Sequence, residues 1–264
     1  MNFLIQSKVF DTSSKTVKHL ENEGHNVTEF STQFSIDKPH FFRGSLEMAK
    51  EHYENDNVLM YFDPNSYSFS SFASKFPYGL LNEDYEIYSF KNFQSSKNEI
   101  FGKFGKEDFI AGSSEQIIFV RPDSGLKSFS GQVIDETFWN AYVNMFRKRN
   151  VEDIVVSTPK KVGNEFRFVV FHNGLIKSGS SYIKDDKISY EEIFSTHPAY
   201  RSAKRVAEDC SVKIENGCYI LDLVETPTEY KVVEINAFST SDLYGCDRRR
   251  IFKSLKPQLD AESI

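Results

Sequence analysis

The sequence predicts a mixed fold, with a small parallel α/β unit at the start and an α+β region rich in antiparallel strands after it. The first prediction rests on strands and helices that alternate within residues 3–62. The second rests on pairs of short apolar strands joined by turns, of which Tyr219–Val224 and Tyr230–Asn236 are the clearest. A chain of 264 residues is long enough for one large domain or two modest ones.

Composition argues against one class of function, although local basic patches remain possible. The formal net charge is −6, whereas proteins that bind the phosphate backbone generally are basic, so no general nucleic-acid binding is expected. The chain has 25 Phe and 13 Tyr but a single Trp, which we interpret as aromatic core packing.

The cysteines and the apolar segments predict a cytoplasmic protein without a membrane partner. The three cysteines (Cys210, Cys218 and Cys246) form no C-x-x-C pair, and an odd number does not fit a closed disulfide framework. No signal peptide is recognisable at the start, and no apolar run has transmembrane length.

The parallel unit is predicted from five elements. Asp11–Ser14 offers helix N-cap residues, and Gly24 is placed to end the helix that follows. The elements are a strand at Phe3–Phe10, a helix at Thr16–Glu23, a strand at Asn26–Phe30, a helix at Ser45–Glu54 and a strand at Val58–Phe62.

A strand with a basic residue near its end leads into a serine- and glycine-rich loop. Gln116–Pro122 is an apolar strand that contains Arg121, and the loop that follows carries Lys127 and ends at Gly131. Glycines let backbone N–H groups converge on an anion, and the two cations offset its charge, so the segment suits a polyphosphate. It is not a P-loop, because no GK[ST] opens a helix, and an ordinary hairpin loop remains the alternative.

The middle of the chain alternates between helices and strands. Residues 95–115 predict a polar helix and a loop, and Asp135–Arg149 predicts a helix with a core-facing aromatic stripe that includes Phe138. The further elements are strands at Val151–Val156, Glu165–Phe171 and Leu175–Tyr182, and a helix at Pro198–Glu208.

The hairpin at residues 219–236 carries three oxygen-bearing side chains. Glu234 and Asn236 lie two residues apart and therefore on one face of a strand, and the partner strand can bring Asp222 opposite them. Carboxylates so close repel each other unless a cation lies between them, and Mg²⁺ prefers hard oxygen ligands. The alternative is a half-exposed hairpin with a solvated polar face.

In this order, these motifs resemble the ATP-grasp superfamily. They are an α/β unit, a strand with a glycine loop, an E-x-R strand at Glu165 to Arg167, and D…E-x-N on a hairpin. The segment IFVRPDSGLKSFSG at residues 118–131 resembles a bacterial and bacteriophage clade in which arginine replaces the usual strand lysine. The resemblance implies an ATP-grasp fold, in which two α+β subdomains enclose ATP, with an N-terminal Rossmann-like pre-ATP-grasp domain. The implied boundaries are 1–92 for the first domain and 93–264 for the second, itself divided into 93–156 and 157–264.

The resemblance also implies a site for ATP and Mg²⁺. Arg121 and Arg167 would be catalytic, and Asp222, Glu234 and Asn236 would hold the metal. Lys97, Lys103 and Lys106 compete for the upstream ATP-contacting lysine of the superfamily. The backbone of Val155–Thr158 would pair with adenine. The implied nucleotide contacts are Arg121, Lys127, Ser128, Ser130, Gly131, Val156, Ser157, Thr158, Glu165 and Arg167.

The activity implied by the resemblance is an ADP-forming ligase that joins a carboxylate to an amine through an acyl phosphate. The alternatives are a kinase of the same fold and a non-catalytic nucleotide-binding protein. The partners would be small-molecule or peptide-like carboxylates and amines, and a homodimer is possible. Specificity is expected from the N-terminal unit, Ser178–Tyr182 and Ser239–Arg250, with Ser241, Tyr244 and Arg248 as candidate residues and a solvated face as the default for the Arg248–Arg250 run.

Overall fold

The structure is a computed structural model that describes residues 1–63, 66–74, 76, 79–107, 115–171, 174–185, 187–209 and 218–262. Cys210 and residues 108–114 of the predicted polar segment lie outside the described residues. The chain forms two compact units, one made of Met1–Asp63 and Val162–Ile264 and the other of Pro64–Lys161. The domain boundaries at residues 92 and 156 stay predictions. Among the described residues, no helix combines the length and the apolar character that crossing a membrane requires.

The first unit begins with a parallel sheet of four strands. The strand of residues 2–6 lies between those of residues 26–30 and 40–43, and the strand of residues 58–59 pairs with the latter. The parallel α/β pattern is thus confirmed, whereas the Rossmann-like assignment stays a prediction. The first strand ends at Gln6 instead of Phe10, and the third strand was not predicted. The elements are β1 (Asn2–Gln6), α1 (Ser13–Asn22), β2 (Asn26–Phe30), β3 (His40–Arg43), α2 (Leu46–His52) and β4 (Val58–Leu59).

The second unit contains an antiparallel sheet, and the helices within residues 90–104 and 139–148 pack on one of its faces. Trp139, Val143 and Phe146 are buried in its core, as predicted, but Phe138 is 61% exposed because the helix begins only at Trp139. The elements are α3 (Phe69–Ala73), β5 (Glu86–Ser89), α4 (Phe90–Ser95), α5 (Lys97–Phe104), β6 (Lys106–Glu107), β7 (Gln116–Pro122), β8 (Gln132–Asp135), α6 (Trp139–Lys148) and β9 (Asp153–Ser157).

The remainder of the first unit contains a second, antiparallel sheet. Its strands follow one another across the sheet in the order 187–188, 176–184, 165–171, 218–225 and 230–237. Its core also contains Phe3 and Phe41 of the parallel sheet, with Phe252 of the last helix. The elements are β10 (Glu165–Phe171), β11 (Ile176–Lys184), β12 (Lys187–Ile188), α7 (Pro198–Asp209), β13 (Cys218–Glu225), β14 (Tyr230–Ala237), a 3₁₀ turn (Phe238–Thr240) and α8 (Arg248–Glu262).

The last helix is not among the elements predicted from the sequence. The run Arg248–Arg250 predicts a solvated face, and Arg249 and Arg250 are exposed. The next turn of the helix buries Ile251, Phe252 and Leu255, so α8 is amphipathic and packs its apolar side into the core of the first unit.

Arg43 is a buried cation that joins the parallel sheet to the chain after β14. Its Nη1 donates to the Phe238 carbonyl at 2.8 Å and its Nη2 to the Ser241 carbonyl at 2.5 Å. The guanidinium carbon lies 4.4 Å from the centre of the Phe238 ring. Burial lowers the pKa of Arg43 to about 9, and the charge of Asp242 opposes that shift. The planar fork of donors therefore holds two carbonyls at once.

We predict that Arg43→Lys destabilises the first unit. An ammonium group cannot reproduce both carbonyl bonds, and loss of a buried charge-assisted hydrogen bond costs about 2–3 kcal/mol. The measurement is the free energy of unfolding in urea. The matched control is Arg249→Lys at an exposed position, for which a change below about 0.5 kcal/mol is expected. Equal unfolding free energies for the two variants would contradict the role of Arg43.

Candidate functional site

The antiparallel sheet of the first unit places polar side chains from three strands in one row. Arg167 on β10 pairs with Asp222 on β13, and Asp222 pairs with Glu234 on β14. Residues directly opposite each other in an antiparallel pair project from the same face. The predicted approach of Asp222 to Glu234 is therefore confirmed, and Arg167 joins them.

Arg167 and Asp222 form a bidentate ion pair. Nε donates to Asp222 Oδ1 at 2.8 Å and Nη2 donates to Oδ2 at 2.7 Å. Arg167 is 7% exposed and Asp222 1% exposed, so water screens the pair little. Burial alone would lower the pKa of Arg167, but the charge and hydrogen bonds of Asp222 raise it above its ordinary value.

Asn236 connects the two carboxylates of the row. Its amide nitrogen donates to Asp222 Oδ2 at 2.9 Å and to Glu234 Oε1 at 2.9 Å. Because the two ends of an amide have nearly the same shape, a half turn of the side chain would direct its oxygen to this position instead. Two carboxylates and an amide oxygen form the hard donor set that fits Mg²⁺. Within the described ranges, no group of three or more His, Cys, Asp or Glu side chains is arranged to hold a metal.

Glu165 lies two residues before Arg167 on β10 and therefore on the same face of the sheet. Its side chain is half-buried, and burial raises its pKa, with a further increase from the charges of Asp222 and Glu234. A hydrogen bond with Tyr182 and the charge of Arg167 oppose the increase. Glu165, itself predicted as a nucleotide contact, therefore lies in the electrostatic field of two predicted metal ligands, Asp222 and Glu234.

Three stacked tyrosines adjoin Arg167. The ring of Tyr244 lies between the rings of Tyr182 and Tyr190, with centroid distances of 5.1 and 5.0 Å. The guanidinium carbon of Arg167 lies 4.7 Å from the Tyr244 centroid and 5.5 Å from that of Tyr182. The sequence suggested only Tyr244 as a candidate by name. Spacing gave no signal for Tyr190, since the stack is formed by segments far apart in the chain.

The other residues suggested for specificity make hydrogen bonds to the backbone. Ser241 Oγ donates to the Ala237 carbonyl at 2.8 Å, and Ser178 Oγ accepts from Asp247 N at 2.7 Å. Arg248 donates to the carbonyls of Tyr244 and Cys246. These contacts give Ser241 and Arg248 a structural role in shaping residues 241–248.

In the second unit, Arg121 lies on the sheet face opposite the hydrophobic core. Its guanidinium carbon is 5.0 Å from the Phe69 ring centre and 5.9 Å from that of Phe72. Phe119 is on the same face, and its register partner on β9 is Ser157. A Cβ on Gly131 would lie 2.9 Å from the Phe119 ring, so only glycine fits there without displacement. Arg121 and Gly131 thus share one face of the sheet. Their contact with phosphate stays a prediction.

The loop between β7 and β8 is fixed at defined points and exposed between them. Asp123 accepts hydrogen bonds from Ser70, and a Cβ on Gly125 would lie 2.8 Å from the Tyr67 backbone. Phe129 is buried against Phe146, with ring centres 4.5 Å apart. Lys127 has a left-handed φ of 50°. The exposed members of the loop are Ser124, Lys127, Ser128, Ser130 and Gly131.

The segment predicted to pair with adenine leaves β9 beside Asp84, a residue that the sequence analysis missed. The backbone N–H of Thr158 donates to Asp84 at 3.3 Å, and Lys160 Nζ donates to it at 2.7 Å. Burial would raise the pKa of Asp84, but these hydrogen bonds lower it below its usual value. Val156 is buried in the core, so it would offer its backbone only. Ser157 is fully buried, and its hydroxyl has no hydrogen-bond partner in the described part of the chain.

The three competing lysines have different surroundings. Lys97 lies 3.5 Å from Glu136, and Lys103 is paired with Glu86. Lys106 is exposed on the short strand β6. Exposed ion pairs are weak, so these contacts do not select one lysine as the nucleotide contact.

Solved structures of ATP-grasp enzymes share this fold. D-cycloserine synthetase DcsG matches with a TM-score of 0.65 and 11% identity over 98% of this chain and 99% of its own. D-alanyl-alanine synthetase A from Vibrio cholerae gives 0.61 and 11% identity over 96% and 93%. The ATP-grasp ligase PsnB with a minimal precursor gives 0.56 and 10% identity over 96% and 98%. At these identities, the likeness shows the ATP-grasp fold.

The sequence comparison identifies the family. No curated protein matches the chain at a significant level. Residues 103–254, which are more than half of the chain and include Arg121, Arg167 and the three oxygen-bearing residues of the hairpin, match an ATP-grasp domain family, described as family 2 of the R-to-K clade. The chain therefore belongs to the R-to-K clade of the ATP-grasp superfamily.

Proposed function

We propose that the protein is an Mg²⁺-dependent ATP-grasp ligase that joins a carboxylate to an amine with release of ADP and phosphate. The observation that carries the proposal is the buried row of Arg167, Asp222 and Glu234, bridged by Asn236. Membership of an ATP-grasp family supports ATP use. Structural neighbours named as synthetases and ligases support ligation over other uses of the fold.

The residues of the first unit would serve the metal and the transferred phosphoryl group. Asp222, Glu234 and Asn236 would hold Mg²⁺, which supplies positive charge to the triphosphate when it is bound. Arg167 adds a permanent positive charge beside them, and phosphoryl transfer depends mainly on alignment and charge neutralisation. Glu165 is the nearest further polar group and would contact the nucleotide.

The residues of the second unit would serve the nucleotide. Arg121 and Lys127 would contact phosphate oxygens, with the hydroxyls of Ser128 and Ser130 and the backbone at Gly131 as donors from the loop. The backbone of residues 155–158 would pair with adenine. The buried hydroxyl of Ser157, which has no hydrogen-bond partner in the described part of the chain, would donate a hydrogen bond to the nucleotide there.

The proposed reaction needs no covalent intermediate on the protein. A carboxylate oxygen of the substrate attacks the γ-phosphorus, the bond to the β-phosphate oxygen breaks, and ADP leaves. The amine nitrogen then attacks the acyl carbon, phosphate leaves, and the nitrogen loses one proton to solvent. The described cysteines support this course, because burial raises the pKa of Cys246 to about 12 and that of Cys218 also well above its ordinary value.

We predict that Glu234→Ala abolishes ATP turnover while the protein stays folded, because the cluster loses one of its two carboxylates. The readouts are Mg²⁺-dependent ADP release with a panel of amino acids and other carboxylates, and Mn²⁺ binding by electron paramagnetic resonance. The matched control is Glu229→Ala on the same hairpin, where the carboxylate pairs with Lys231. ADP release by Glu234→Ala at the wild-type rate would refute the metal assignment. Mass spectrometry of the product distinguishes an amide from a phosphorylated alcohol.

We predict that Lys127→Asn weakens ATP binding by about tenfold or more, because a charge-assisted hydrogen bond to phosphate contributes roughly 1.5–3 kcal/mol. Asparagine tolerates the left-handed backbone at this position, so the loop should keep its path. Calorimetric titration with ATP and with adenosine measures the effect, and adenosine binding should not change. Lys148→Asn, at an exposed helix position, is the control. Equal losses for ATP and adenosine would contradict a phosphate contact.

A further inference from the structure

The contacts of Arg167 fall into an anionic set and a neutral set. Nε and Nη2 donate to the carboxylate of Asp222 at 2.8 and 2.7 Å. Nη1 donates to the backbone carbonyl of Asp242 at 3.0 Å, and the guanidinium carbon lies 4.7 Å from the Tyr244 ring centre. The Asp242 carbonyl and the Tyr244 ring therefore contact Arg167 without occupying Nε or Nη2, the two donors that face Asp222.

If the proposed function holds, the metal and Arg167 compete for the carboxylate of Asp222. Asp222 would then be a metal ligand, and a divalent cation beside its carboxylate weakens the attraction that holds Arg167. Nε and Nη2 would become available to a phosphate, but the side chain would also lose its strongest anchor. The neutral contacts would have to keep the guanidinium in place.

Tyr244 is held in an unusual backbone conformation. Its φ is 45°, in the left-handed region that a tyrosine seldom adopts because of backbone strain. The backbone N–H groups of Leu243 and Tyr244 donate to Asp242 Oδ1 at 2.6 and 3.2 Å. Arg248 donates twice to the Tyr244 carbonyl, at 3.3 and 3.2 Å. Asp242 and Arg248 thus fix the backbone of Tyr244 and with it the direction in which the side chain leaves the chain.

The ring of Tyr244 is fixed as well as its backbone. It stacks on Tyr182 at an interplanar angle of 21° and on Tyr190 at 16°. Tyr190 is anchored by its hydroxyl, which donates to Asp11 Oδ2 at 2.7 Å. The next residue, Gly245, passes so close to Tyr190 that an added Cβ would lie 2.5 Å from its carbonyl oxygen. The chain therefore supports one orientation of this ring, directed at Arg167.

We propose that Tyr244 is a positioning residue for Arg167. Its ring, together with the Asp242 carbonyl, keeps the guanidinium aligned when Asp222 binds the metal, so that Nε and Nη2 reach the terminal phosphates of ATP. The ring face carries out this role, and the Tyr244 hydroxyl is not required.

The test compares Tyr244→Phe and Tyr244→Leu with the wild-type protein in the presence of Mg²⁺. Calorimetry gives the dissociation constants of a non-hydrolysable ATP analogue and of AMP, which lacks the terminal phosphates. Since a partly desolvated cation–π contact contributes about 1–2 kcal/mol, Tyr244→Leu should weaken binding of the analogue about five- to thirtyfold. AMP binding should change less than about twofold, and Tyr244→Phe should behave as wild type. Tyr190→Leu, which removes a stacked ring that does not contact Arg167, is the control and should have a smaller effect.

A second experiment, made in the Arg167→Lys variant, distinguishes a positioning role of Tyr244 from a purely structural one. In Arg167→Lys, adding Tyr244→Leu should weaken the analogue little further, because two residues that act as a unit are not additive. Urea unfolding verifies that each variant is folded, and Tyr244→Met replaces the leucine variant if the latter does not fold. Additive losses, equal losses for AMP and the analogue, or no loss in Tyr244→Leu would each overturn the inference. A wild-type protein that binds no analogue would overturn the proposed function, and the inference with it.

Discussion

The buried ion pair of Arg167 and Asp222 is the interaction on which the polar face of the large antiparallel sheet depends. Removing either partner would leave one charge buried without its counter-ion, a change that typically costs several kcal/mol. The pair is also the point where three strands meet, because Asp222 faces Arg167 on one side and Glu234 on the other. Asn236 donates to both carboxylates and so reduces their repulsion. One arrangement therefore stabilises the sheet and brings together the groups that a metal and a phosphate require.

The surroundings of the pair fix it from outside the sheet. Asp242 contributes its carbonyl to Arg167 and its carboxylate to the turn that presents Tyr244, and it also accepts a hydrogen bond from Thr12 N at 3.2 Å. Thr12 is the N-cap residue of helix α1, and its hydroxyl donates a hydrogen bond to Asp242 instead of capping the helix. Buried hydrogen bonds thus connect the N-terminal α/β segment to the candidate site. Through these bonds, changes in that segment can affect the site, which is a physical reason to expect it to influence specificity.

The parts that the sequence could predict are those governed by local periodicity. The alternation of side chains along a strand placed Glu165 with Arg167 and Glu234 with Asn236, and the hairpin placed Asp222 opposite. The parts it could not predict depend on contacts between distant segments. Arg43 binds carbonyls of Phe238 and Ser241, Tyr190 stacks on Tyr244, and Asp84 holds Thr158, and no spacing in the sequence indicates any of these pairs. The start of helix α6 was misplaced because Phe138 fits the apolar period but is exposed outside the helix.

The account rests on Asp222, Glu234 and Asn236 as one metal-binding set beside Arg167. A crystal structure of the protein with Mg²⁺ and a non-hydrolysable ATP analogue tests it most directly. We predict a cation bound by oxygens of these three side chains at about 2.0–2.1 Å, with Arg167 in contact with a terminal phosphate. A bound nucleotide whose metal lies away from Asp222 and Glu234, with Arg167 still in its bidentate pair, would contradict the account.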